Sequence, residues 1–181
     1  MPESWLEEFD EYWSARERFL RSDPKSPLKP EERKKFSGLR YYPPDPAFKV
    51  KARFSRTIKD KEVELRTTAG NTVKLPFAGE LRFTIGGNEF RLLAFKREGS
   101  SLFVPFCDRT NGSETCSIGR YVEIELHEGA ESIPVTLDFN FAYNPDFTYD
   151  QGCDSVIPPA ENRLDIPIKA GEKSYFSQRI R

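Results

Sequence analysis

From residue 47 onward the chain alternates apolar and polar residues with a period of two, and no other feature constrains its fold as tightly. Phe48, Val50, Ala52 and Phe54 interleave with Lys49, Lys51, Arg53 and Ser55, and Val63 and Leu65 interleave with Glu62, Glu64 and Arg66. Successive side chains of a strand point to opposite faces, so such runs bury one face and wet the other. Further strands are predicted at 72–75, 80–85, 89–96, 101–106, 120–126, 133–139 and 163–168. Gly86-Gly87 joins two of them and is a tight-hairpin signal. Short strands with frequent turn residues and no alternating helices predict a mainly β fold, an antiparallel β-sandwich or partly closed β-barrel of about eight or nine strands. The 15 Phe and 7 Tyr against a single Met agree with a β-rich core.

The first 46 residues follow a different rule. Ser4 with Glu7 three positions on is a capping-box arrangement, and Trp5, Phe9, Tyr12, Trp13, Phe19 and Leu20 recur at helical spacing. An amphipathic helix over 4–21 is therefore predicted, ending at Asp23-Pro24. Its aromatic stripe suits packing against the sheet; the alternative is a face for a second copy of the chain, a homodimer. Residues 22–46 are rich in Pro, with a short helix fitting at 30–36, and Phe36, Leu39, Tyr41 and Tyr42 give the segment apolar groups to bury. The expected organisation is one domain over 1–181, a helical and Pro-rich wrap at 1–46 around a β core at 47–181.

The basic row Lys49, Lys51 and Arg53 is expected to pair across strands with the acidic row Glu62 and Glu64, since opposite charges in register are favourable. A nucleic-acid stripe is the competing account. With 28 basic and 29 acidic residues the net charge is -1, so the total suggests neither a nucleic acid nor an anionic membrane as partner and leaves only a local patch open. No run approaches the ~20 apolar residues of a membrane span, and the first residues do not form a secretory leader. The chain reads as cytoplasmic. Cys107, Cys116 and Cys153 are then expected as thiols, although a Cys107 to Cys116 bridge is geometrically conceivable, and the Asn111-Gly112-Ser113 sequon carries no weight.

Most familiar chemistry lacks its parts. The single histidine, His127, reads as a surface turn residue, so a Ser or Cys nucleophile has no imidazole base. Three Cys and one His are scattered without zinc-site spacing. Asp146, Asp150 and Asp154 recur every four residues but lack the Gly and Glu of a calcium loop, so they read as a solvated acidic loop and no metal is expected. No Gly-rich phosphate loop is present and no cofactor is expected, although a flavin seated in a barrel leaves no short motif.

What remains is a set of polar and aromatic clusters at strand ends: Arg120 and Tyr121; Asp138, Asn140, Tyr143 and Asn144; Glu161, Asn162 and Arg163. Strand alternation sends Thr136, Asp138 and Asn140 to the face opposite Val135 and Leu137. Converging, these groups supply carboxylate, amide, phenol and guanidinium, with Asp138 or Glu161 as a general base. The same residues support a structural reading, in which Arg120 or Arg163 neutralises Asp138 and the Asn side chains hold loop backbone.

The clusters resemble the signature of a bacterial and archaeal family catalogued as domain of unknown function 1684. The resemblance rests on Glu114-Thr115-Cys116-Ser117-Ile118-Gly119-Arg120-Tyr121, on Leu137-Asp138-Phe139-Asn140-Phe141-Ala142-Tyr143-Asn144-Pro145, on Pro158-Pro159-Ala160-Glu161-Asn162-Arg163-Leu164 and on Ala170-Gly171-Glu172-Lys173. Weaker matches reach Ser26-Pro27-Leu28 and Tyr42-Pro43-Pro44-Asp45. Cys116 and Ser117 stand where the family pattern has Tyr and Gly, and Phe147 and Ser155 stand where it commonly has a Cys pair, with Cys153 out of register. The resemblance implies no established reaction, and the nine site residues carry over as motif positions. The expected function is binding of a small polar molecule where these segments meet. The alternative is a non-catalytic interaction module using the aromatic helix or an exposed sheet edge.

Overall fold

Among the described residues seven antiparallel strands curl into a half-barrel, and an N-terminal helix packs beside it. The computed structural model describes residues 4–57, 61–97, 101–126 and 132–175; His127 lies outside them. The strands are β1 (Lys49–Arg56), β2 (Glu62–Arg66), β3 (Thr72–Ile85), β4 (Asn88–Lys96), β5 (Ser101–Phe106), β6 (Arg120–Glu125) and β7 (Ser132–Asp138). Their order across the sheet is β6-β5-β4-β3-β1-β7, with β2 paired to β3. An 18-residue helix, α1 (Trp5–Ser22), and a short one, α2 (Pro30–Lys35), precede them. Among the described residues no helix is long and apolar enough to cross a membrane.

Strand β3 organises the sheet because it belongs to two pairings. Its first half pairs with β2, Glu64 facing Lys74, and its second half pairs with β1 and β4. Between Phe77 and Gly79 the register with β4 slips, and this bulge bends the strand from one partner set to the other. Only glycine fits there: φ is 151° and a Cβ on Gly79 would lie 2.1 Å from the Ser55 carbonyl oxygen. The two strands expected at 72–75 and 80–85 are therefore one. Residues 163–168 do not form the expected last strand. They run parallel beside residues 107–109, with Leu164 N–H donating to the Cys107 carbonyl and Arg109 N–H to the Ile166 carbonyl, and Pro167 has no N–H to continue a ladder.

The expected pairing of the basic and acidic rows does not occur. β1 lies between β3 and β7, so Arg53 faces Arg82 on one side and Pro134 on the other. Arg82 in turn faces Arg91 on β4, and Glu80 bridges those two guanidinium groups at 2.7 and 3.2 Å.

The concave face carries the main core, including Phe54, Leu81, Leu92, Val104, Phe106, Leu137 and Phe139, all 1% exposed or less. Each such side chain contributes roughly 1.5–3 kcal/mol by leaving water. A second cluster joins Leu65, Phe95, Phe103, Tyr121 and Val156 under the β2–β3 hairpin. β6 and the segment after β7 approach each other through paired backbone bonds between Tyr121 and Tyr143, each 2.9 Å, which partly closes the barrel.

Helix α1 begins with both halves of a capping box between Ser4 and Glu7. Its aromatic stripe faces inward. Trp13 stacks on Tyr41 at 4.8 Å, Phe9 meets Tyr41 edge-on and Phe141 at a tilt, and Tyr12 donates to the Phe141 carbonyl at 3.0 Å. The helix thus packs on the loops that close the sheet rather than across its strands, and Leu6 is the large apolar side chain it leaves exposed.

Candidate functional site

The predicted site residues divide among several places instead of one. Arg120 is fully buried beneath the return segment 168–172. Its guanidinium donates to Asp108 Oδ2 and the Ile168 carbonyl at 2.9 Å each, and to the Ala170 and Glu172 carbonyls. Asp108 Oδ1 is held by the Thr110 hydroxyl and by the amides of Thr110 and Ile168. A buried pair so enclosed anchors loops. Gly119, just before it, has φ of 105°, and a Cβ there would stand 2.5 Å from the Phe106 carbonyl oxygen.

Asp138 and Asn140 are neighbours as expected, through a different geometry. β7 ends at Asp138, whose Oδ1 caps the 3-10 turn Phe139–Phe141 by accepting the Asn140 amide at 3.0 Å and its side-chain N–H at 2.8 Å. Asp138 Oδ2 accepts from the Trp5 indole at 2.8 Å, and Asn140 bonds both backbone groups of Asp45. Neither Arg120 nor Arg163 reaches Asp138. Asn162 is equally occupied, linking Leu93 N–H and carbonyl to the Pro105 carbonyl at 2.7–2.8 Å. Glu161 and Arg163 are exposed on its flanks, away from the other clusters. These side chains satisfy loop backbone that water cannot reach.

Tyr121, Tyr143 and Asn144 do come together, in a cleft of about 260 Å³ beside the β2–β3 hairpin. Its apolar wall is Val73, Pro145 and Val156, and its charged groups are Arg97, Asp146 and Asp154. The rings meet edge to face at 5.7 Å; Tyr121 donates to the Val156 carbonyl and Tyr143 to Glu123 at 2.7 Å. Behind them, Arg16 of α1 lies 4.6 Å over the Tyr143 ring and donates to the Asn144 carbonyl and the buried Glu172. Glu172 also accepts the Asn144 amide at 2.9 Å and the Tyr149 hydroxyl. Asn144 Oδ1 is buried with no hydrogen-bond partner among the described residues.

The cleft's charges are of three kinds. Asp154 is spent on structure, accepting from Thr67, Thr68 and the Ala69 amide, and those bonds hold its carboxyl below the usual range. Arg97, an exposed residue, has its guanidinium carbon 3.6 Å from the Phe103 ring centre and 5.5 Å from that of Tyr121, and among the described residues it has no ion pair. Asp146, an exposed residue, likewise has no salt bridge or side-chain hydrogen bond there; partial desolvation by the cleft raises its carboxyl although Arg16 and Arg97 pull it down. Burial also pushes up the thiols of Cys107 and Cys116, which are free, so neither is a ready thiolate.

Sequence reasoning had no access to Arg97, which lies in no motif and follows β4 directly. The Asp146/Asp150/Asp154 loop it read as uniformly solvated is differentiated: Asp150 caps Gly152 and meets Lys29, Asp154 pins the hairpin, and Asp146 faces the cleft. Among the described residues no group of three His, Cys, Asp or Glu is placed to hold a metal ion.

A family model described as a protein of unknown function, DUF1684, matches residues 34–173. The chain belongs to this family. The matched span includes every residue that lines the cleft and leaves α1 outside. The chain is similar to an uncharacterized protein from gene locus rrnAC0354 of Haloarcula marismortui, known from a solution NMR structure. Identity is 34%, coverage is 93% of this chain and 94% of that one, and the TM-score is 0.75. No curated protein matches. For this DUF1684 member the signature runs sort by role: Arg120, Asn140 and Asn162 are packed into loop crossings, while Tyr121, Tyr143 and Asn144 face the cleft.

Proposed function

We propose that this protein binds a small polar ligand in the cleft between Arg97, Asp146 and the Tyr121/Tyr143 pair. The observation that carries the reading is Arg97: a guanidinium laid over two aromatic rings, lining a concavity, with no carboxylate partner among the described residues. Such a group is positioned by its stacking and keeps its donor fork for something else. A cleft of about 260 Å³ suits a molecule of metabolite size, smaller than the usual drug-sized site. Of the nine motif positions, this reading keeps Tyr121, Tyr143 and Asn144 as cleft residues and gives the other buried positions a structural task.

The test is a metabolite library screened by thermal shift against the parent, Arg97→Gln and Arg163→Gln. A ligand that binds only the folded state raises its apparent stability, by ~2.7 kcal/mol at a hundredfold excess over Kd. Shifts kept by the Arg163 variant and lost by the Arg97 variant support the cleft. Equal shifts in all three proteins, or none in any, overturn it.

A second reading rests on another surface. Lys51, Arg53, Arg82 and Arg91 share a groove of about 650 Å³ on the sheet, where an acidic polypeptide segment would find complementary charge. Binding of poly-glutamate that weakens steeply with salt and disappears in Arg82→Gln/Arg91→Gln would favour it over the cleft.

A further inference from the structure

We infer that the ligand of the cleft is a zwitterion, its carboxylate taken by Arg97 and its ammonium by Asp146. The inference rests on the cleft being a ligand site and names the chemistry it selects. Two opposite charges line one cavity, and neither has an ion pair with the other or with any other described residue. Asp154 adds a second negative charge to the same wall, so a simple anion seated on Arg97 would face two carboxylates. A simple cation would leave the guanidinium unanswered. A molecule carrying both charges answers both.

The state of Asp146 supports the same assignment. Its carboxyl is raised by partial desolvation even though two arginines act on it from α1 and from the end of β4, so the ionised form lacks a close donor. The charged groups that act on it are Arg16 and Arg97, and Asp154 lines the same cleft. Val73, Pro145 and Val156 give the non-polar part of the ligand a surface. An amino acid with a small apolar body has this combination of parts.

The experiment follows the methyl resonances of Val73 and Val156 while six compounds are added to the full chain. L-leucine is compared with 4-methylpentanoate and 3-methylbutylamine, and γ-aminobutyrate with butyrate and propylamine, so that each zwitterion has a partner lacking one charge. The expected result is that at least one zwitterion binds about tenfold or more tightly than both of its truncated partners. Asp146→Asn then reduces that zwitterion to the affinity of its carboxylate partner, and Arg97→Gln reduces it to that of its amine partner. Carboxylates that bind as well as zwitterions and ignore Asp146→Asn would overturn the zwitterion while leaving an anion-binding cleft. Methyl shifts that are absent for all six overturn it as well, and the library screen with Arg97→Gln then decides the fate of the cleft itself.

Discussion

At the scale of single residues, two aspartates eight positions apart make opposite contributions to stability. Asp146 has its folded pKa raised by partial desolvation, so its ionisation is unfavourable in the folded state, and stability is lost as pH rises from the ordinary 3.8 through the folded value. Asp146→Asn is expected to raise Tm at neutral pH, with the gain vanishing in acid where both states are protonated. Asp154 has its folded pKa lowered by the Ala69 amide and the Thr67 hydroxyl, so its contribution is present above 3.8 and disappears as pH falls through the folded value. Asp154→Asn is expected to lower Tm at neutral pH and to approach the parent in acid. Thermal melts across pH read both, and curves of the same sign would show that the cleft carboxylate is no more strained than the loop one. Arg120 gives a larger effect: Arg120→Met strands Asp108 in the core and is expected to cost about 3–5 kcal/mol in urea unfolding. Arg120→Met/Asp108→Asn should cost less than the sum of the singles, because the second change removes the stranded charge.

At the scale of elements, β3 and the arginine row are the points of tension. Arg53, Arg82 and Arg91 occupy directly opposed positions on β1, β3 and β4, and like charges so placed repel. Glu80, with its side chain 21% exposed, answers two of them. Glu80→Gln is expected to lose about 0.5–1 kcal/mol at low salt and to recover most of it at high salt as screening relieves the row. Urea melts at two ionic strengths measure this, and a loss independent of salt would show that the guanidinium groups are already screened by solvent. The periodicity announced β1, β2, β4, β5, β6 and β7 nearly to the residue, since each alternates or is continuously buried. It misjudged β3, because a bulge at Gly79 and a turn at a glycine look alike in sequence. It misjudged 163–168, because apolar alternation is also produced by a loop that buries Leu164 and Ile168 against residues 107–109.

For the whole molecule, α1 and the closing loops behave as one packed layer. Trp13 is 1% exposed between Tyr41, Tyr12 and Phe9, and Trp13→Ala is expected to cost about 3–5 kcal/mol in unfolding free energy. Sedimentation should find the variant in the same oligomeric state as the parent, since the aromatic face is turned onto its own chain. A change in oligomeric state without loss of stability would return that face to a partner. Arg16 ties this layer to the cleft, so the Trp13 variant is also expected to weaken the proposed ligand binding by letting the Tyr143 ring move.

The sequence alone determined what short-range physics determines. Side-chain alternation set the strands, the Ser4/Glu7 box set the start of the helix, and the ordered motif runs set the family. Tertiary structure decided which polar groups meet. Asp138 and Asn140 were legible as neighbours because they are two residues apart, but their partners Trp5 and Asp45 come from the other end of the chain. Arg120 finds Asp108 rather than Asp138 for the same reason: a charge pairs with what the fold brings within reach. The cleft itself is assembled from β3, the end of β4, β6 and the 143–156 loop, so no local window of sequence contains it, and Arg97 acquired its place only when the sheet curled.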